Sequence, residues 1–203
     1  MDTTPKTSSG QNPPEIVLGN SNRRFSGITS TLLQVLPHQL ELARIVVLGA
    51  HHLPQSAPRV GFFELVKALR TPEADNQTVI FHARRNDEMI QALILKQLVH
   101  CRLKILFTST AQRYHSGFTR WLMSQMDSVI STCSAAASYL PAQPDTLIPH
   151  GVDAARYQPR SIIAGREASE QLSHRKHIGI FGRVRAQKGI DTLIEAALPL
   201  LKA

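Results

Sequence analysis

The sequence predicts an α/β fold built on a mostly parallel sheet. Three observations carry that expectation. Short strand-like runs alternate with helical ones along most of the chain. Hydrophobic residues make up 42% and charged residues 19%, a balance that excludes a disordered, collagenous or coiled-coil chain. At 203 residues there is room for a real core in between one and two domains of the usual ~100–200 residues.

Met1 to Pro14 holds one large apolar residue, Met1, so it reads as a polar, disordered tail and not as a secretory signal. Glu15 to Leu18 is the expected first strand. Thr29 to Leu42 follows as a helix, because Leu32, Leu33, Leu36, Leu40 and Ala43 fall near helical spacing. Arg44 to Leu48 returns to strand. Phe62 to Leu69 is expected as a helix, Val79 to Phe81 as a strand, and Asn86 to Val99 as a helix carrying Met89, Leu93, Lys96 and Leu98 near the same period. A strand at Lys104 to Thr108, a helix at Gly117 to Gln125, a strand at Ser128 to Ser131, a helix at Thr132 to Tyr139 and a strand at Thr146 to Ile148 complete about six strands.

Residues 15–150 thus read as one domain. From Gly151 to Lys176 the pattern breaks around Pro159, Gly165 and scattered charges, as expected of a connector. Residues 177–203 then bring an apolar strand, His177 to Phe181, a glycine-flanked basic turn and an amphipathic helix, Ile190 to Leu201. One strand and one helix cannot bury their own apolar faces, so this segment reads as the start of a second domain, and the chain as truncated within it.

Charge and cysteine content narrow the function classes. Lysine and arginine exceed aspartate and glutamate by 23 to 15, leaving a net charge of +8 that favours acidic partners: nucleic acid, anionic lipid or a phosphorylated small molecule. Aromatics are 5% of the chain and no common nucleic-acid-binding motif is present, which argues against the first. Cys101 and Cys133 are too few for a disulfide scaffold and match no metal-ligand spacing, so a reducing, cytoplasmic setting is expected. Apolar runs such as Ile45 to Leu48 fall far short of the ~18–20 residues that span a bilayer. No Asp-x-Asp pair occurs, and His51-His52, read as adjacent strand residues pointing to opposite faces, do not suggest a metal site.

The segment richest in chemistry is Gly182-Arg-Val-Arg-Ala-Gln-Lys-Gly189, between an apolar strand and a helix. A glycine there lets the backbone turn tightly, and the following helix N-terminus offers free N–H groups to an anion. Arg183 and Lys188 would flank that anion, the arginine forking two oxygens and the lysine acting as a point charge. A solvated basic turn is the plain alternative. Near the front, Asn22 to Thr31 joins the first strand to a helix: Gly27 permits close backbone approach, and Ser26 with the helix N-terminus could bind an oxyanion or simply cap the helix. Phe81-His-Ala-Arg-Arg-Asn-Asp-Glu-Met89 leaves a strand for a helix. His82 is there either as a site residue or as a hydrogen-bonded structural one, Arg84 and Arg85 as anion ligands or a solvated helix start, and Asp87 as a first-turn acid.

Phe181 to Asp191, preceded by Ile148-Pro-His-Gly-Val-Asp153 and Tyr157-Gln-Pro159, resembles glycosyltransferase family 4, retaining enzymes of the GT-B fold. The Ser-Gly-Ile-Thr-Ser-Thr loop and the Phe81 to Met89 segment most resemble lipopolysaccharide core mannosyltransferases. The resemblance implies two Rossmann-like domains, an acceptor-binding domain at 15–150 and a nucleotide-sugar-binding domain beginning at 177. It implies Arg183 and Lys188 on the donor diphosphate, assisted by Gly27 and Ser26, with His82 near the reacting sugar and Arg84 and Arg85 toward a phosphorylated or Kdo-bearing lipid acceptor. GDP-mannose is the expected donor, with no metal and no other cofactor, and the expected location is peripheral, on the anionic inner face of the cytoplasmic membrane. The family's Glu-x7-Glu motif is not reached; Glu195 is not part of it. The chain alone is therefore expected to be a poor catalyst, and a truncated, inactive acceptor-binding module is the rival reading, with a nucleic-acid-binding protein a more distant one.

Overall fold

A computed structural model of the chain describes residues 13–71, 77–155, 157, 180 and 186–201. The tail before Pro13, most of the expected connector, Arg183 and, except for Ile180, the strand expected at His177 to Phe181 lie outside the described residues. Two compact units divide the chain, Met1–Tyr157 and Gln158–Ala203.

The first unit is a parallel sheet with helical crossovers. Its elements are β1 (Ile16–Gly19), α1 (Gly27–Leu40), β2 (Ile45–Leu48), β3 (Arg59–Val60), α2 (Phe62–Leu69), β4 (Val79–Ala83), α3 (Asn86–Leu93), β5 (Leu103–Ser109), α4 (Gly117–Ser124), β6 (Ser128–Ser131), α5 (Ser134–Ala137) and β7 (Thr146–Leu147). The seven strands lie in the order β3-β2-β1-β4-β5-β6-β7, and every pairing is parallel. β1 and β4 are neighbours although a crossover to β2 and β3 intervenes, so the winding direction reverses between them. In such sheets the crevice at the carboxyl ends of the two strands flanking the reversal is where ligands bind.

The core lies on one face of the sheet. Val17, Val79, Phe81, Ala83, Leu103, Ile105 and Phe107 point there and are covered by Leu65 and Leu69 of α2, Met89, Ala92 and Leu93 of α3, and Leu122 and Met123 of α4. The other face carries a smaller cluster in which Leu32 and Leu36 of α1 pack on Leu18, Ile45 and Val47. Beyond α1 that face opens: Ile80 is 39% exposed and Lys104 is exposed, so β4 and the start of β5 alternate between buried and accessible residues. Parallel strands covered on both sides read as continuous apolar runs, and this alternation marks a half-covered stretch.

Several boundaries depart from the sequence expectation. α1 begins at Gly27, two residues before Thr29, because Ser26 is extended and its hydroxyl accepts from the Thr29 N–H. β4 runs on to Ala83, so His82 belongs to the strand and alternates with the core residues Phe81 and Ala83. The helix expected over Asn86 to Val99 is α-helical to Leu93 and continues as a π-helical turn, Ile94–Leu98, which keeps Leu95 in the core. β3, which adds a seventh strand, was not expected: two residues at an edge are too short to show a period. His51 and His52 stand in a turn and not on a strand; His52 has φ 62° and its Nε2 lies 2.8 Å from the Arg23 carbonyl. In the second unit, a 3₁₀ turn at Ala186–Lys188 leads through Gly189, at φ 73°, into α6 (Ile190–Leu201).

Candidate functional site

The carboxyl ends of β1 and β4 bring together most of the residues singled out near the front of the chain. β1 ends at Gly19, and Asn20, fully buried, bends the chain away with its Nδ2 donating to the His51 carbonyl at 2.8 Å. β4 ends at Ala83 and delivers Arg84 and Arg85 directly ahead of α3. Beside the two arginines sits Glu88, an acid that suits the dipole at the start of this helix but that the sequence did not single out as a site residue. It is 0% exposed.

The Glu88 carboxylate organises the crevice. Oε2 accepts the Arg84 N–H at 2.7 Å and Oε1 accepts from Arg85 Nη1 at 3.1 Å. Arg85 Nη2 reaches back across the site to the hydroxyls of Ser26, at 2.8 Å, and Thr29, at 3.3 Å. Arg84 Nη2 donates to the Gly19 carbonyl at 2.6 Å. Gly19 is required by this packing, since a Cβ there would stand 2.8 Å from Glu88 Cγ. Burial, the largest influence, holds the Glu88 carboxyl above the usual carboxylate range, and the nearby Arg84 and Arg85 charges with the Arg84 N–H offset only part of that rise. Burial likewise lowers Arg84, opposed by Glu88. Glu88 is paired with the Arg85 guanidinium while that of Arg84 rests on a neutral carbonyl, so the two arginines outnumber the one carboxylate in the cluster.

Arg85 is therefore held inside, its side chain 11% exposed, tied to Glu88 and to the N-cap of α1. The cation joins two elements 59 residues apart in sequence. Ser26 does cap α1, and the same oxygen receives Arg85. Gly27 opens the helix with nothing within 4 Å of where a Cβ would stand. Asp87 lies in the first turn of α3 and accepts from the Ser21 hydroxyl, which anchors the loop after β1. The signal that could have found Glu88 is its position: three and four residues after Arg85 and Arg84 in the first turns of a helix, where a carboxylate folds back on preceding N–H groups.

His82 points to the other side of β4. Its Nε2 lies 2.7 Å from Thr108 Oγ1 on β5, and burial together with the Arg84 charge lowers its pKa to about 4. At neutral pH the ring is an uncharged imidazole, a hydrogen-bond partner and not a cation. It faces a cavity of about 300 Å³ on the half-covered side of the sheet. Its polar lining includes Arg84, Thr108, Thr110, Thr132 and His150, with Thr31 and Gln39 from α1, and the apolar side chains of α1 and of the open strand face line the rest. The stretch Ile148 to Asp153 closes one side: a Cβ on Gly151 would stand 2.9 Å from Val35 Cγ2, and the Asp153 N–H donates to Gln34 Oε1 at 3.3 Å. A larger hollow of about 670 Å³ between residues 134 and 147 has no ionisable side chain in its lining, so it lacks the chemistry of a reacting site.

In the second unit Lys188 is exposed at the end of the 3₁₀ turn that enters α6. Its intended companion Arg183 lies outside the described residues. Among the described residues no group of three or more His, Cys, Asp or Glu side chains is placed to hold a metal ion.

Two curated proteins are similar to this chain through nearly all of it. The lipopolysaccharide core biosynthesis mannosyltransferase LpcC of Rhizobium leguminosarum bv. viciae is 42% identical over 188 residues, and the lipopolysaccharide core biosynthesis mannosyltransferase LpsB of Rhizobium meliloti (strain 1021) is 39% identical over 190. Each alignment takes in 92% of this chain and 53% of the relative, so the chain spans about half the length of the curated relatives it matches. No family model matches the chain, and no solved structure does. At this identity over this length, the chain is homologous to the half of each of these two proteins that it spans.

Proposed function

We propose that the first unit, as a homologue of those enzymes, is the acceptor-binding domain of a retaining mannosyltransferase of glycosyltransferase family 4, acting on a lipid-linked lipopolysaccharide core with GDP-mannose as donor. The observation that carries this reading is the crevice at the β1–β4 reversal, where the Arg84–Glu88–Arg85 cluster meets the α1 N-terminus at the carboxyl ends of the strands, next to the cavity that Arg84 and a neutral His82 both line.

The chemistry follows from what each group can supply. A sugar acceptor presents hydroxyls, and an uncharged imidazole held by Thr108 orients such a hydroxyl without repelling the positive charge that develops at the anomeric carbon. The surplus charge of the Arg84–Glu88–Arg85 cluster attracts an acidic acceptor, while Glu88 fixes the Arg85 guanidinium and the Gly19 carbonyl fixes that of Arg84. Negative charge builds on the departing diphosphate, and Lys188 with Arg183 are the cations to stabilise it more in the transition state than in the ground state. In same-face attack the leaving phosphate takes the acceptor proton, so the carboxylate pair of a glycosidase is not needed. The activity is proposed to take place at the inner face of the cytoplasmic membrane, the acceptor being lipid-linked.

The test is saturation-transfer NMR of the chain with a delipidated, Kdo-bearing core oligosaccharide. Enhancement at the sugar protons, reduced by His82→Ala, is expected. No enhancement in a chain that circular dichroism shows to be folded would refute the acceptor-binding assignment.

A further inference from the structure

Helix α3 starts at the carboxyl end of β4, and four consecutive residues at that junction each tie down a different piece of the crevice. Arg84 Nη2 donates to the Gly19 carbonyl at the end of β1. Arg85 Nη2 donates to the hydroxyls of Ser26 and Thr29 at the start of α1. Asn86 Nδ2 donates to Thr119 Oγ1 at 2.8 Å, and that oxygen lies 3.0 Å from Ser116 Oγ, the N-cap of α4. Asp87 Oδ2 accepts from the Ser21 hydroxyl in the loop after β1. The Arg84, Arg85, Asn86 and Asp87 contacts span 65, 59, 33 and 66 residues of sequence, so none of them is a local helix cap.

The two arginines differ in what they leave free. Both terminal nitrogens of Arg85 are committed inside the protein, Nη1 to Glu88 Oε1 and Nη2 to two hydroxyls. A guanidinium recognises a carboxylate or phosphate with two N–H groups in parallel, and in Arg85 both arms of that fork are occupied. Arg84 also has Nη2 engaged, but its Nε is buried without a hydrogen-bond partner among the described residues, and its side chain lines the cavity that His82 faces. A buried donor left without an acceptor is costly, and an acceptor atom of a bound ligand removes that cost.

We propose that Arg85 is a positioning residue and not an acceptor ligand. Together with Asn86 and Asp87 it clamps the loop after β1, the start of α1 and the start of α4 into one rigid rim around the crevice, and it leaves to Arg84 the contact with the acceptor's anionic group, through Nε. This division of tasks rests on the reading that the crevice binds an acidic saccharide acceptor. A rim fixed before binding removes the cost of ordering it during binding, so its rigidity reads out as affinity.

The test compares two probes on the full chain by calorimetry: a delipidated, Kdo-bearing core oligosaccharide, and the same oligosaccharide with its carboxylates reduced to alcohols. Arg85→Gln is expected to weaken both probes by the same factor, roughly tenfold, and to leave the salt dependence of the acidic probe as in the parent. Arg84→Gln is expected to weaken the acidic probe selectively and to flatten its salt dependence. Arg85→Lys keeps the charge but has no fork to hold Glu88 and Ser26 together, so it is expected to fail as Arg85→Gln does. Asn86→Ala removes one neutral hydrogen bond and covers the case in which Arg85→Gln does not fold: it is expected to weaken both probes equally. Selective loss of the acidic probe in Arg85→Gln, or rescue by Arg85→Lys, makes Arg85 a ligand and overturns the proposal. So does an unchanged affinity with only the urea midpoint lowered, which confines Arg85 to stability. If the parent binds neither probe, the acceptor reading fails and the clamp is decided by hydrogen exchange alone. Exchange of amides 21–30 is expected to quicken in Arg85→Gln by about tenfold beyond any change in β4 and β5, and an unchanged rate there overturns the clamp.

Discussion

Replacing Glu88 by glutamine removes the buried negative charge that pairs with the largely buried Arg85 guanidinium and accepts the Arg84 backbone N–H. The carboxylate is fully buried, and its two oxygens serve the Arg84 N–H at 2.7 Å and Arg85 Nη1 at 3.1 Å. The amide keeps the size and one acceptor but leaves the Arg85 guanidinium without its carboxylate partner. Breaking a buried ion pair by removing one partner costs roughly 3–5 kcal/mol, against a total stability of about 5–15 kcal/mol for a domain. At a urea dependence of about 2 kcal/mol per molar, the unfolding midpoint of Glu88→Gln is expected to fall by about 1.5–2.5 M. Circular dichroism across a urea series at pH 7 reads this directly. The double variant Glu88→Gln with Arg85→Gln should lose less than the sum of the two single variants, because each already forfeits the same contact. A Glu88→Gln midpoint within about 0.3 M of the parent, under 1 kcal/mol on the same slope, would refute the reasoning: it would mean that burial keeps Glu88 protonated and that the arginines do not depend on its charge.

Other expectations follow from the same geometry. His82 titrates near 6.5 when unfolded and about 4 when folded, so the unfolded chain binds more protons between those values and stability falls as pH drops from 6.5 toward 4. The difference amounts to roughly 3 kcal/mol, and His82→Gln should flatten that part of a stability–pH curve measured by denaturant titration. Gly49 has φ 106°, and a Cβ there would stand 2.5 Å from the Asn20 carbonyl oxygen, so Gly49→Ala should cost roughly 1–3 kcal/mol in thermal or urea unfolding. Gly27→Ala, with open space at the helix start, should stay within about 0.5 kcal/mol. If Lys188 holds the donor diphosphate, Lys188→Ala should weaken binding of GDP-mannose by roughly tenfold or more in calorimetry, the scale of one hydrogen bond to a charged group; unchanged affinity would remove Lys188 from the donor site.

Much of the fold is legible from the order of the residues alone. The α/β class and the strands β1, β2, β4, β5, β6 and β7 follow from local apolar runs, and the helix Phe62–Leu69 falls where its apolar period puts it. Such periods are local properties, and local sequence carries them. The front of the candidate site is partly legible too: Ser26, His82, Arg84 and Arg85 all fall at strand-to-helix junctions, which the winding of a parallel sheet gathers at one edge.

What the sequence did not determine is which of these side chains face one another. Arg85 looks like a solvated cation at a helix start, and only the adjacency of β1 and β4 brings Ser26 and Thr29 of α1 within reach of its guanidinium and shuts Glu88 away from water. His82 is one residue beyond the apolar run that signalled its strand; its low pKa arises because the strand continues and Thr108 of the neighbouring strand lies beside it. Phe118 and Trp121 likewise look like core residues by composition, and the rotation of α4 against the sheet decides that Leu122 and Met123 take the core instead. Periodicity along a chain sets which residues share a face, but burial, ion pairing and pKa depend on what that face is packed against, and that is fixed only when distant strands pair.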